Sequence, residues 1–133
     1  MQDNHLFEYA IIRVVPRVER EEFLNVGVII YCKEQKFLQT VFTLDESRLV
    51  ALFPDVNIED VRRHLHAFEQ ISLGNPEAGP IASLDLASRF RWLTAKRSTV
   101  VQISAVHPGL CKNAMDTLVQ LHGQLVLSGS SKI

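Results

Sequence analysis

Apolar and polar positions fall into alternating blocks, and the densest apolar block is Phe23 to Cys32, Phe-Leu-Asn-Val-Gly-Val-Ile-Ile-Tyr-Cys. It predicts a central strand on which the rest of the chain packs. Alternate residues Leu24, Val26, Val28, Ile30 and Cys32 form one wholly apolar face, and Phe23, Asn25, Gly27, Ile29 and Tyr31 form the other. Asn25 and Gly27 stand out on that second face, because both are poor strand formers. A glycine inside a strand marks a bulge or a close approach to the backbone.

Residues 8–16 are rich in β-branched and aromatic types and predict a first strand, ended by Pro16, which has no N–H for the ladder. Its faces are Ala10, Ile12, Val14 and Tyr9, Ile11, Arg13, Val15, so Arg13 is a charge among apolar neighbours that needs a partner. The charged connection 17–22 fits either a short helical turn or an exposed loop. Lys33-Glu34-Gln35-Lys36 is a hairpin-sized gap, and 37–42 predicts a third strand antiparallel to the second.

Thr43-Leu44-Asp45-Glu46 has the spacing of a capping box and predicts a short helix to about Phe53, broken by Pro54. Asn57 opens a longer helix with acids in its first turn. Ile58, Val61, Leu65, Phe68 and Ile71 or Ser72 form its buried stripe, and Gly74 ends it. Residues 74–80, with two Gly, two Pro and an Asn, predict a loop and a plausible flap. Ser83 is placed to cap a third helix carrying Leu86, Phe90 and Leu93, and 99–106 alternates as a strand. Pro108-Gly109 predicts a turn. A last helix has Ala114, Leu118, Leu121 and Leu125 on one stripe, with Gly123 unfavourable unless it permits close packing, and 128–133 is expected to fray.

These elements predict an α+β (or α/β) fold, a mainly antiparallel sheet of about four strands covered by three to four helices. The 133 residues form a single-domain length, with no repeat or low-complexity tract. Apolar content of 47% against 22% charged is ordinary for a globular chain and sets aside disordered and fibrous classes. No run of about 18 apolar residues predicts a membrane span, and the start lacks a signal-peptide build. Two cysteines, Cys32 and Cys111, are too few for a disulfide framework. A reducing, cytoplasmic location follows as the expectation.

The net charge of −1 hides an asymmetry: residues 1–85 hold 8 basic and 14 acidic side chains, a balance of −6, and residues 86–133 hold 6 basic and 1 acidic, a balance of +5. Arg89, Arg91, Lys96 and Arg97 fall within nine residues in a stretch without carboxylates. This cluster can meet an anion, or can balance the acidic half of its own fold, the commoner outcome. On a helix, Arg89 and Arg91 project about 200° apart and cannot grip one ligand.

The chain has no Gly-x-Gly-x-x-Gly, Walker loop, His-Glu-x-x-His, Gly-x-Ser-x-Gly or Cys-x-x-Cys. His64 and His66 are two residues apart on a helix, the wrong spacing for a zinc pair, so neither a metal nor a cofactor is expected. His107 at a sheet end and Cys111 have no visible base or orienting carboxylate nearby, and read as a solvated turn residue and an inert thiol. Arg13, Asn25 and Gly27 form the more specific constellation. Arg13 can clamp an anion, Asn25 can donate, and Gly27 can let a ligand reach the backbone. The structural alternative has Arg13 paired with Glu22 or another carboxylate and a bulge at Asn25 and Gly27.

The run Tyr9-x-Ile11-Ile12-Arg13-x-Val15-Pro16 followed by Glu22-Phe23-x-Asn25-Val26-Gly27-Val28 resembles the N-terminal signature of a bacterial family of unknown function, DUF3037. Val101-Gln102-Ile103-Ser104 and Met115-Asp116-x-Leu118 are similar to its later pattern. The resemblance brings no established activity. It implies a cytosolic accessory or regulatory protein with a HipA-like kinase as partner.

Three functional readings remain open. The first is a non-catalytic module that binds a protein partner. The second is binding of nucleic acid or a phosphorylated ligand through Arg89, Arg91, Lys96 and Arg97, with Arg13 and Arg17 adding charge and Trp92 stacking on a base. The third is an enzyme whose site is assembled only in space.

Overall fold

A computed structural model describes residues 4–127. The strands are β1 (His5–Val14), β2 (Leu24–Cys32), β3 (Phe37–Phe42), β4 (Val101–Ile103) and β5 (His107–Cys111). The α-helices are α1 (Glu46–Leu52), α2 (Ile58–Leu73), α3 (Leu86–Leu93) and α4 (Ala114–Leu125). Short 3-10 turns occupy Val18–Arg20, Pro76–Ala78 and Pro80–Ser83. The expected frayed tail lies outside the described residues.

The fold is α+β, with every strand pairing antiparallel in one sheet. Its order is β3-β2-β1-β4, and β5 also pairs with β1. Thus β4 and β5 share one side of β1, opposite its C-terminal and N-terminal halves. Between them Ser104 breaks the ladder while still binding β1: its N–H donates to the Ile11 carbonyl at 2.9 Å, and its hydroxyl accepts from the Ile11 N–H at 2.8 Å. The expected single strand over 99–106 is therefore two short strands with a hinge.

Two cores flank the sheet. On one face Ala10, Ile12 and Val14 of β1 pack with Leu49, the stripe of α2, and Phe90 and Leu93 of α3. On the other, Phe7, Val28, Ile30 and Cys32 pack with Ala114 and Leu118 of α4. The uniform face expected for β2 is not the one that forms. Ile12 pairs with Gly27 but Arg13 pairs with Asn25, so Val26 is the extra residue of a β-bulge. Leu24 and Val26 join the α2/α3 core together with Ile29 and Tyr31, while Val28, Ile30 and Cys32 face α4. One inserted residue in a period-2 strand exchanges the faces beyond it. The Val26 carbonyl that leaves the ladder accepts from the Thr43 N–H at 2.7 Å.

Gly27 is required by this geometry. A Cβ there would lie 2.7 Å from both the Phe42 Cβ and the Val41 carbonyl oxygen. The backbone that approaches Gly27 is thus β3 and not a ligand. Gly27→Ala is expected to lower stability by about 1–3 kcal/mol through overpacking, read as a shift of the urea midpoint. An unchanged midpoint would show that β3 yields freely.

Three local expectations are corrected. Asp45, not Thr43, caps α1, accepting from the Arg48 N–H at 3.0 Å, while the Thr43 hydroxyl meets His122 Nε2 at 3.0 Å. Asp85, not Ser83, caps α3, accepting from the Ser88 N–H at 2.7 Å. Pro108-Gly109 is strand and not turn. Pro108 sits on the outer strand of the sheet, where a missing donor is tolerated, and Gly109 lies under Phe7, whose ring a Cβ would approach to 2.6 Å. By contrast, Asn57 and Gly74 bound α2 as expected, the first accepting from the Asp60 N–H at 3.1 Å and the second with φ of 76°. Gly123 permits no close packing, since a Cβ there would meet nothing within 4 Å.

Candidate functional site: a cationic groove at the β4 edge

The bulge that exchanges the faces of β2 also sets Asn25 directly opposite Arg13 of β1, which on its other side faces Gln102 of β4. Cross-strand neighbours project to the same face, so Asn25, Arg13 and Gln102 form a polar row across the sheet. The C-terminal end of α4 reaches Asn25, whose Nδ2 donates to the Leu125 carbonyl at 3.3 Å. Beyond that point α4 ends, and Arg13 and Gln102 line an open groove of about 600 Å3. The segment after α3 supplies Lys96, Arg97 and Ser98 to the wall, and Ser104 and Val106 close the far side.

Arg13 is the unusual member. Its guanidinium carbon lies 4.1 Å from the centre of the Phe23 ring, a cation–π contact that also orients it. Among the described residues it has neither an ion pair nor a hydrogen-bond acceptor, and its buried Nε is left without a partner. The pairing expected with Glu22 does not form, because Glu22 accepts from Arg20 Nε at 2.8 Å. The Asn25 Oδ1 is also buried without a partner. An unmade hydrogen bond on a buried group costs about 1–3 kcal/mol, so this row leaves binding capacity unused.

The basic stretch divides. Arg89 is turned inward: its Nη1 donates to the Leu84 carbonyl at 2.7 Å and its Nη2 to the Ser72 carbonyl at 3.4 Å, tying α3 to the end of α2. Arg91 turns the opposite way and donates to Glu8 of β1 at 3.2 Å, one direct link between the basic and acidic halves. Neither reaches the groove. Arg97 does line it, while its guanidinium carbon lies 4.4 Å from the centre of the half-exposed Trp92 ring and its Nη groups donate to the carbonyls of Leu93 and Trp92. Those are the last carbonyls of α3, where a cation also complements the helix dipole. Burial lowers the Arg97 pKa from its usual value, although an arginine keeps its charge. Lys96 is exposed and, among the described residues, has no ion pair or hydrogen bond. The groove thus unites Arg13 with Lys96 and Arg97, more than 80 positions apart, and no carboxylate lines it. Gln102 and Ser104 carry no local signal; only the register beside Arg13 reveals them.

Several other chemically capable groups are engaged, although His66 is exposed on α2. His64 Nδ1 lies 2.8 Å from the Asp60 carbonyl, and the exposed His107 ring leans on Tyr9, tilted by 38° with ring centres 5.3 Å apart. His122 is partly buried against Thr43, and desolvation lowers its pKa. Cys32 and Cys111 are buried free thiols, and burial, followed by the nearby Cys32, raises the pKa of Cys111. A thiol in such a setting is a poor nucleophile. Both cysteines are expected to resist a thiol reagent at pH 8 in the folded protein and to react together in denaturant. Rapid labelling of either one in the native state would contradict the burial described. Among the described residues no three His, Cys, Asp or Glu side chains converge as a metal site, and no helix is long and apolar enough to cross a membrane.

The model of a family described as a protein of unknown function, DUF3037, matches residues 9–126. No curated protein and no solved structure matches the chain.

Proposed function

The chain belongs to the DUF3037 family, and from that premise we propose that it is a bacterial cytosolic, non-catalytic accessory module that binds an acidic segment of a partner protein in the groove beside β4. One observation carries this reading. Arg13 sits on Phe23 with its hydrogen-bonding capacity unused, in a groove that Lys96 and Arg97 make cationic and no carboxylate neutralises. Arginine in such a setting matches a carboxylate bidentately.

Nucleic acid fits the same surface less well. Arg89 and Arg91 point away from the groove into internal contacts, and the chain as a whole carries −1. A dedicated nucleic-acid binder presents a basic face with clear excess charge. The engagement of His64, His107 and His122 and the burial of both thiols favour a module over an enzyme. The HipA-like kinase implied by the family resemblance is the first partner to try.

Selection from a random peptide library displayed on phage tests the reading. The folded chain should enrich Glu- and Asp-rich peptides, and Arg13→Gln with Lys96→Gln should remove the enrichment at unchanged thermal stability. Enrichment independent of both residues, or tight salt-sensitive binding of oligonucleotides lost in the same double variant, would overturn it.

A further inference from the structure

Behind the groove lies a second, apolar space. Between α2, α3 and β4, a cavity of about 130 Å3 is lined by Phe68, Ile71, Leu93, Val101 and Ile103, with Trp92 and Arg97 also on its wall. Arg97 and Ile103 line both this slot and the cationic groove, so the two adjoin at the β4 edge. No carboxylate lines either one. The Arg97 guanidinium lies over the Trp92 ring, its carbon 4.4 Å from the ring centre, so the slot wall carries a cation beside an aromatic face. The slot opens to solvent, with His64 and Thr99 also on its wall, and its volume is close to the roughly 150 Å3 that holds a benzene, so it is sized for one aliphatic or small aromatic group.

We propose that the slot is the anchor subsite of the β4 groove, seating one apolar side chain of an acidic peptide segment whose carboxylates lie along Arg13, Lys96 and Arg97. The inference rests on the groove reading and adds a sequence requirement to it: an apolar residue flanked by Glu or Asp. Charge complementarity selects this occupant over a purely apolar one. A ligand entering the slot passes Arg97, whose charge is desolvated more with every apolar atom that covers it and compensated by every carboxylate beside it. The site therefore favours apolar and anionic groups in adjacent positions.

Two synthetic probes test this, a Glu-rich peptide with a single central Leu and the same peptide with Ser in its place. Burying a leucine side chain is worth about 1.5–3 kcal/mol, and each 1.4 kcal/mol is tenfold in affinity. The Leu peptide should therefore bind wild-type protein about tenfold or more tightly than the Ser peptide. Trp92 is the single tryptophan of the chain and stands on the slot wall, so its emission should shift further to the blue with the Leu peptide, which covers the ring with apolar atoms, than with the Ser peptide. Ala67 also lines the slot from an exposed position on α2. Ala67→Leu should fill the space, abolish the Leu preference and leave the affinity for the Ser peptide unchanged.

Equal binding of the two peptides to wild-type protein, with an unshifted Trp92, would overturn the anchor inference alone and leave the groove standing. Equal binding of both peptides to wild type and to the Arg13→Gln, Lys96→Gln variant would overturn the groove reading itself. A concentration-dependent Trp92 shift without peptide, lost in Ala67→Leu, would assign the slot to a second copy of the chain and overturn the proposal. Should Ala67→Leu lower the melting temperature, the Trp92 comparison of the two peptides on wild-type protein decides by itself.

Discussion

Phe90→Ala is expected to cost about 3–5 kcal/mol, the range for removing a buried aromatic from a packed core. Phe90 leads the fully buried side chains by volume, and its ring stacks on Tyr31 of β2 with centres 5.4 Å apart. The helix that carries it, α3, has only 8 residues, too few to be stable without tertiary packing. Phe90 and Leu93 are its buried residues. Loss of the ring should loosen α3 against the sheet, and with it the following segment that bears Lys96 and Arg97. Chemical denaturation should show the stability loss, and any groove binding should weaken in parallel. A loss below 1 kcal/mol would mean that α3 is held by something other than this contact.

On the opposite face Ile30→Ala should cost about 2–5 kcal/mol by leaving a cavity under α4. Ile30 is fully buried and packs in the core that Leu118 and Ala114 of α4 complete. The effect is separable from that of Phe90 because the sheet lies between the two cores. A stability loss well under 1 kcal/mol would show that Ile30 is not packed in this core.

That assignment is where sequence and structure part. The β2 run is apolar at nearly every position, so its alternation carries no register information, and a strand buried on both faces reads the same with or without an extra residue. The glycine at 27 signalled a bulge, but nothing local said that Val26 would be the inserted residue or that Val28 would turn to the other core. The helices were more legible. Asn57, Gly74 and the spacing from Val61 to Ile71 define α2 through caps and period, both local signals. Pro108-Gly109 misled because the turn chemistry of that pair was overridden by Phe7 covering Gly109 across the β1–β5 ladder, a long-range contact.

The candidate site was legible in parts that the sequence could not join. Arg13 stood out as a charge in an apolar strand, and Lys96 and Arg97 as members of a basic run, yet they belonged to two separate constellations. The β1–β4 pairing brings them together, whereas Arg89 and Arg91 leave the site because carbonyls at Leu84 and Ser72 hold the first and Glu8 of β1 holds the second. Gly27 leaves the site as well, since the backbone close to it is β3.

Whether the β4 groove binds acidic peptide can be read from chemical-shift mapping of the backbone amides and the Gln102 and Arg13 side chains, during titration with a Glu-rich peptide near physiological ionic strength. The expected result is saturable shifts centred on Arg13, Lys96, Arg97, Gln102 and Ser104, fading as salt rises and absent in the Arg13→Gln, Lys96→Gln variant. Shifts centred on a surface away from the groove, or none in the groove at saturating peptide, would contradict it.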